Sequence, residues 1–198
     1  MGRAGGARGW RGAANSLPRA GASPPRPRRP CWASLTAHFG PGMFIVSADV
    51  GGNIDRLAAA CGGGGESVTE VVAADVARGG GTGPTSTAAA LLWLLRTMLF
   101  VAALLRALET DRGASVADAA RGAYGATLRP YHGLLTRTAF AAALYCAPTR
   151  VKFFAATGAA TEAAALADVG GCLVEWEGVL ADLHAWMDGT GLNSQARV

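Results

Sequence analysis

Three polar side chains in the first third of the chain have types and spacing that could bind a polar group. Asp49, Asn53 and Arg56 are separated by four and three residues, so an α-helix places them on one face. A carboxylate only accepts hydrogen bonds, an amide donates and accepts, and a guanidinium donates in a planar fork. Together they can bind a polar molecule through hydrogen bonds, with no catalytic chemistry. Such a set is more often an ordinary solvated helix face.

Three further side chains could complete such a site. Trp93 and Arg96 lie in one long apolar segment, and His132 follows in a later segment. An indole ring offers an apolar face together with a polar edge. Each residue also has a plain structural interpretation, since Trp93 could belong to the core, Arg96 could pair with an acid, and His132 could form a structural hydrogen bond.

The sequence gives little support to an enzyme or a metal protein. The three histidines, His38, His132 and His184, do not form an H-x-x-x-H pair, and G-x-S-x-G is absent. Cysteines at 31, 61, 146 and 172 form no C-x-x-C, which suits a reduced intracellular protein. We therefore predict no catalytic residues, no cofactor and no metal site.

Composition and periodicity favour an all-α fold. Apolar residues make up 51% of the chain and charged residues 16%, with alanine and leucine prominent and β-branched residues scarce. Helical patterns are predicted at 44–61, 67–78, 87–109, 116–128, 131–146, 150–156, 161–168 and 172–187. The last two are divided or bent by Gly170 and Gly171, and Ser67 with Glu70 forms a capping box.

The segment from 88 to 105 admits a second interpretation. Its 18 residues are almost all apolar, which meets the length criterion for a membrane span. Arg96 lies at its middle, where insertion costs about 2.5–3.5 kcal/mol on the mildest scale. We favour a buried central helix and retain an integral membrane protein anchored by 88–105 as the alternative.

The basic charge of the chain is concentrated at its N-terminus. Residues 1–30 hold seven arginines and no acid, which leaves a mildly acidic body despite the formal net charge of +4. This distribution argues against a nucleic-acid-binding domain. We predict a disordered tail at 1–40, which could be a transit peptide or a gene-model artefact, a folded domain at 41–190, and a C-terminal tail at 191–198.

Three motifs, taken in order, carry a resemblance to a known family. They are D-x-x-x-N-x-x-R at 49–56, L-W-L-x-R at 92–96, and the block AYGATLRPYHGLLTRTAFAAALYCAPTR at 123–150. Together they resemble the glycolipid transfer protein family over about residues 41–190. The resemblance implies an all-α, two-layer helical sandwich that encloses one sphingolipid.

The resemblance also implies roles for individual residues. Asp49 would accept hydrogen bonds from the ceramide amide and a sugar hydroxyl, and Asn53 and Arg56 would bind other hydroxyls. Trp93 would stack on the sugar ring, and His132 would donate to the ceramide carbonyl. Arg96 is a possible additional headgroup residue. The implied partners are a sphingolipid and, transiently, membrane surfaces, so we expect a cytoplasmic protein, with organellar targeting by the tail left open.

Within this family, Asn53 and Trp93 match the branch that binds sugar headgroups. The branch that binds ceramide-1-phosphate has lysine and arginine at those positions, and transfer of that lipid is our alternative. Two departures bear on the mechanism. Leu134 stands where the glycolipid branch often has a membrane-docking tryptophan, and only a short apolar segment, 31–39, stands where the family's first long helix is expected.

Overall fold

The computed structural model describes residues 41–62 and 65–197, and every regular element within them is helical. A short 3-10 turn, Arg129–Tyr131, connects the fourth helix to the fifth. The helices are α1 (Pro41–Cys61), α2 (Val68–Ala77), α3 (Thr87–Thr110), α4 (Val116–Ala126), α5 (Leu134–Tyr145), α6 (Arg150–Ala155) and α7 (Glu162–Gly189). The predicted all-α class is confirmed. The predicted tail at 1–40, including the apolar segment at 31–39, lies outside the described residues.

Local capping explains where several helices begin. Ser67 caps α2 with its hydroxyl, which accepts from the Glu70 backbone N–H at 3.3 Å, while the Glu70 carboxylate accepts from the Ser67 N–H at 2.9 Å. This is the predicted capping box, and it satisfies two backbone donors that the helix itself cannot. Ser86 caps α3 in a similar way, through a hydroxyl that accepts from the Ala89 N–H at 3.1 Å.

Helix α3 is the centre of the fold, and α1, α2, α4 and α7 all pack against it. Its leucines contribute to two hydrophobic clusters, one around Leu91 and Leu95 and the other around Leu108. Leu95 and Leu108 are almost completely buried. By length and composition α3 could also cross a membrane, but half of its apolar window is buried inside the structure. The described structure therefore uses α3 as a core helix.

Of the predicted division or bend in the last helical region, the division is wrong. Helix α7 runs without interruption from Glu162 to Gly189, through Gly170 and Gly171. A Cβ atom added to Gly170 would lie 2.6 Å from a carboxylate oxygen of Glu109, whereas one added to Gly171 would meet nothing within 4 Å. The glycine at 170 thus leaves room for the Glu109 carboxylate beside α7.

The segment that carries His132 also differs from the prediction of one helix at 131–146. Pro130 lies in the 3-10 turn, His132 is extended (φ −91°, ψ 134°), and Gly133 precedes the first residue of α5. Among the described residues, α5 contributes no buried side chain. Its first two residues, Leu134 and Leu135, are 83% and 84% exposed.

Candidate functional site

The three polar residues of α1 form a hydrogen-bonded row. The Asn53 amide donates to the Asp49 carboxylate at 3.4 Å, and Arg56 donates to the Asn53 carbonyl oxygen at 3.2 Å. Asn53 is 6% exposed and lies on the same face as the buried Val50 and Leu57, so this face packs inward. Asp49 itself remains exposed, at the accessible end of the row.

The charges in this row influence each other. Desolvation raises the pKa of the Asp49 carboxyl, and the nearby Arg56 guanidinium opposes that rise. Asn53 lies between the two and fixes their geometry with one donor and one acceptor. The row therefore presents an acceptor at Asp49 and donors at Arg56, which suits a ligand that both donates and accepts hydrogen bonds.

A second group of residues surrounds His132. The imidazole is stacked on the indole of Trp93, with ring centroids 5.7 Å apart and an angle of 26° between the planes. At the edge of the ring, the hydroxyl of Tyr124 lies 3.0 Å from His132 Nδ1. The Tyr124 ring in turn stacks on the ring of Phe140 of α5, with ring centroids 3.8 Å apart. Elements α3, α4 and α5 thus all contribute to the orientation of one imidazole.

Burial lowers the pKa of His132, and the positive charges of Arg137 and Arg96 lower it further. The imidazole is therefore neutral at physiological pH. When the Tyr124 hydroxyl donates to Nδ1, the neutral ring carries its proton on Nε2. Nε2–H is then a donor available to a carbonyl oxygen of a ligand.

Arg96 is a buried cation beside this group. Its side chain is surrounded by the rings of Tyr131, 3.4 Å from the guanidinium carbon, and Trp93, at 5.2 Å. Nη2 donates to Asn193 Oδ1 at 3.0 Å and to the backbone carbonyl of Ser194. No carboxylate of the described residues forms a salt bridge with it, and its buried Nε has no hydrogen-bond partner there. Desolvation lowers the pKa of Arg96.

Two clefts adjoin these residues. One, of about 650 Å³, follows successive turns of α3 and reaches from Arg96 and Tyr131 to the ion pair of Arg106 with Glu177. Leucine and alanine side chains form much of its wall. The other, of about 440 Å³, lies over Tyr124 and Phe140 and has arginines at its edge: Arg121, Arg129 and Arg137.

The structure brings together the sequence-predicted residues in two groups. Asp49, Asn53 and Arg56 form the row on α1, and Trp93, Arg96 and His132 form the group around the imidazole. Sequence reasoning missed the contacts of four residues: Tyr124, Tyr131, Asn193 and Ser194. Tyr124 lay in a quoted motif, but nothing in its local pattern indicated the bond to His132. Within the described residues, no three His, Cys, Asp or Glu side chains are grouped to hold a metal ion.

Comparison with known proteins places these residues in a family. The family model described as glycolipid transfer protein matches residues 32–159. Glycolipid transfer protein 2 of Arabidopsis thaliana is 31% identical over 129 residues, which cover 63% of this chain and 57% of that protein. Pleckstrin homology domain-containing family A member 8 of Danio rerio is 44% identical over 71 residues, or 36% of this chain and 13% of that protein. The matched regions span little more than half of the Arabidopsis relatives.

Solved structures with the same fold include a protein described as selecting glycosphingolipids and a ceramide-1-phosphate transfer protein. One is a structure of FAPP2, described as showing how that protein selects simple glycosphingolipids using the GLTP-fold. It matches this chain with a TM-score of 0.76 and 28% identity, over 85% of this chain and 86% of that one. Human ceramide-1-phosphate transfer protein has a TM-score of 0.74 and 21% identity, over 82% and 84%. The second likeness concerns the fold alone.

Proposed function

This chain belongs to the glycolipid transfer protein family, and we propose that it transfers a neutral glycosphingolipid, such as glucosyl- or galactosylceramide, between membranes. The observation that carries the proposal is the hydrogen-bonded row of Asp49, Asn53 and Arg56 on α1. A neutral sugar needs several donors and acceptors in fixed positions, and this row supplies both.

The group around Trp93 supports the same ligand. Trp93 is half-buried, and its indole is held beside the imidazole of His132. In the proposed complex the indole stacks on the apolar face of the sugar ring. Nε2–H of His132 donates to the ceramide amide carbonyl, while Asp49 accepts from the amide N–H and a sugar hydroxyl. Arg56 and Asn53 bind further hydroxyls.

Transfer requires contact with a membrane and enclosure of hydrocarbon chains. Leu134 and Leu135 are exposed to solvent just after His132 and Gly133, and Arg129 and Arg137 lie close by in the sequence. Exposed apolar residues next to basic ones suit insertion at an interface that carries anionic lipids. Burial of the lipid chains then contributes about 0.8 kcal/mol per CH₂ group. We propose that the protein acts in the cytoplasm and binds membranes transiently.

A vesicle-to-vesicle transfer assay with the full chain tests this function. Donor vesicles would carry fluorescent glucosylceramide or, separately, fluorescent ceramide-1-phosphate. We expect transfer of glucosylceramide, and a loss of about 10- to 100-fold with Asp49→Val, because each lost hydrogen bond to a charged group costs about 1.5–3 kcal/mol.

Variants of two tryptophans give the matched comparison. Trp93→Ala should impair glucosylceramide transfer strongly, whereas Trp176→Ala, at a residue 42% exposed on α7, should leave it unchanged. Transfer of ceramide-1-phosphate alone by the wild-type chain would contradict the choice of headgroup. Failure of the folded protein to move either lipid would contradict lipid transfer as a whole.

Ceramide-1-phosphate is the second candidate because of Arg96. This buried guanidinium lies between Trp93 and Tyr131 and forms no salt bridge with the described carboxylates. A phosphate favours such a cation. Asn53 and Trp93 favour a neutral sugar instead, since neither adds positive charge to the site.

A further inference from the structure

We propose that the segment Asn193–Arg197, here called the C-terminal strap, selects against anionic headgroups by occupying the hydrogen-bond donors of Arg96. This inference rests on the proposed function, in which the headgroup binds beside Trp93 and His132. It assigns a specificity role to residues that lie 97 and 98 positions from Arg96 in the sequence.

The strap occupies Nη2 of Arg96, the nitrogen that takes part in both bidentate arrangements with a phosphate. Nη2 carries two hydrogens, and its two hydrogen bonds go to Asn193 Oδ1 and the Ser194 carbonyl. A guanidinium binds phosphate most strongly through two adjacent nitrogens, either Nη1 with Nη2 or Nη2 with Nε. Both arrangements include Nη2, so neither is available while the strap is in place.

Other contacts keep the strap against the domain. Gly191 has a φ of +70° and turns the chain after α7, so that the Leu192 N–H donates to the Met187 carbonyl at 2.9 Å. The Asn193 amide donates to Asp188 at 2.7 Å, which orients Oδ1 toward Arg96. Arg197 donates to the carbonyl of Pro130 at 3.2 Å, two residues before His132.

Because Arg96 is buried, freeing its guanidinium from the strap should strongly change which headgroups it binds. The residue is 4% exposed, and the buried Nε has no partner among the described residues. A buried cation gains far more from a phosphate than an exposed one does, because water screens the pair less. A sugar hydroxyl gains little from the full charge, so release should favour anionic lipids selectively.

Two variants of the full chain remove the restraint to different degrees. Asn193→Ala deletes one of the two acceptors, and a chain that ends at Leu192 deletes both. Ser194→Ala is the matched control, because it keeps the backbone carbonyl that accepts from Arg96 and removes only the exposed bond from the Ala196 N–H to the Ser194 hydroxyl. Thermal unfolding would establish that each variant is folded, and Asn193→Ala retains the test if the truncated chain is not.

The first readout is calorimetric titration with inorganic phosphate, which does not depend on lipid transfer. We expect Asn193→Ala and the truncated chain to bind phosphate at least 10-fold more tightly than the wild type and Ser194→Ala. The gain should disappear when Arg96→Gln is added. Unchanged phosphate binding in folded variants, or a gain that persists with Arg96→Gln, would overturn the proposal.

The second readout is the ratio of ceramide-1-phosphate to glucosylceramide transfer in the vesicle assay. This ratio should rise at least 10-fold with Asn193→Ala and stay constant with Ser194→Ala. A constant ratio in both variants would overturn the role in specificity, provided that the wild type transfers glucosylceramide. A wild type that transfers no glucosylceramide would instead overturn the proposed function, while the phosphate titration still decides whether the strap restrains Arg96.

Discussion

His132 is oriented by side chains from different elements, and this orientation decides which nitrogen it offers to a ligand. Trp93 of α3 supports one face of the imidazole, and the hydroxyl of Tyr124 of α4 lies 3.0 Å from Nδ1. Because the ring is neutral, a proton fixed on Nε2 is the form that can donate to a carbonyl. Tyr124 is therefore a positioning residue in the proposed complex.

Tyr124→Phe tests this role, since it removes the hydroxyl and keeps the ring that stacks on Phe140. We expect a reduction of about five-fold in glucosylceramide transfer, which corresponds to one hydrogen bond of about 1 kcal/mol. The ¹⁵N shifts of His132 should also show a mixture of tautomers. Tyr145→Phe is the control, because Tyr145 is 92% exposed. Equal transfer by both variants would contradict the role of Tyr124.

The lowered pKa of His132 predicts a particular dependence of stability on pH. The unfolded chain takes up a proton near the ordinary value of 6.5, whereas folded His132 does so only at a lower pH. Below about pH 6.5 the unfolded state therefore binds more protons, and the free energy of unfolding falls as the pH drops. The loss is at most about 1.4 kcal/mol per pH unit.

Urea denaturation of the wild type and His132→Gln between pH 7.5 and 5 measures this effect. The comparison cancels the contributions of the other titrating groups. Wild-type stability should fall relative to the variant as the pH decreases through this range. Parallel curves for the two proteins would show that folded and unfolded His132 bind protons alike.

At the scale of the helices, the two adjacent glycines of α7 have different surroundings. Gly171→Ala should raise the free energy of unfolding by about 0.5–1 kcal/mol, because alanine is the better helix former and its Cβ meets nothing. Gly170→Ala should lack this gain, because its Cβ would lie 2.6 Å from a carboxylate oxygen of Glu109, and the carboxylate would have to move away. Thermal unfolding of both variants measures the difference in stability. An equal gain in the two variants would contradict the role of Gly170 in packing.

The elements were more predictable from the sequence than the contacts between them. The capping box at Ser67 and the apolar pattern of α3 are local signals, so the position and type of these helices followed from them. A pair of glycines in a sequence indicates backbone freedom and says nothing of packing, which is why the sequence allows a division or a bend where α7 runs without interruption. The bond between Arg96 and Asn193 joins residues 97 positions apart, and no local pattern reports such a contact.

For the whole molecule, Arg150 connects segments that are distant in the sequence. Its guanidinium donates to the carbonyls of Leu108, Asp111 and Ala114 at 2.5, 3.0 and 3.1 Å, and it pairs with Glu162 at 2.5 Å. These bonds satisfy the end of α3 and join it to the loop before α4 and to the start of α7. Only 13% of the Arg150 side chain is exposed.

Arg150→Ala should therefore lower the free energy of unfolding by about 2–3 kcal/mol, because three backbone carbonyls, two of them in partly buried hydrogen bonds, and the Glu162 carboxylate lose their donor. Arg121→Ala is the matched control, since Arg121 pairs with Asp118 within one turn and is 62% exposed. We expect that change to cost less than about 1 kcal/mol. Urea denaturation of the two variants measures the difference, and similar losses would contradict the connecting role.

The shallow packing of α5 has a consequence for the lifetime of the proposed lipid complex. Among the described residues α5 contributes no buried side chain, whereas α3 is anchored on several turns, so α5 should open locally at a lower free energy. His132 is separated from α5 by Gly133 alone, and Phe140 of α5 supports Tyr124. Each opening of α5 would then release His132 from its fixed orientation, so in the proposed complex the rate of lipid dissociation would depend on the rate at which this helix opens. Hydrogen exchange at the α5 amides should accordingly slow when lipid binds.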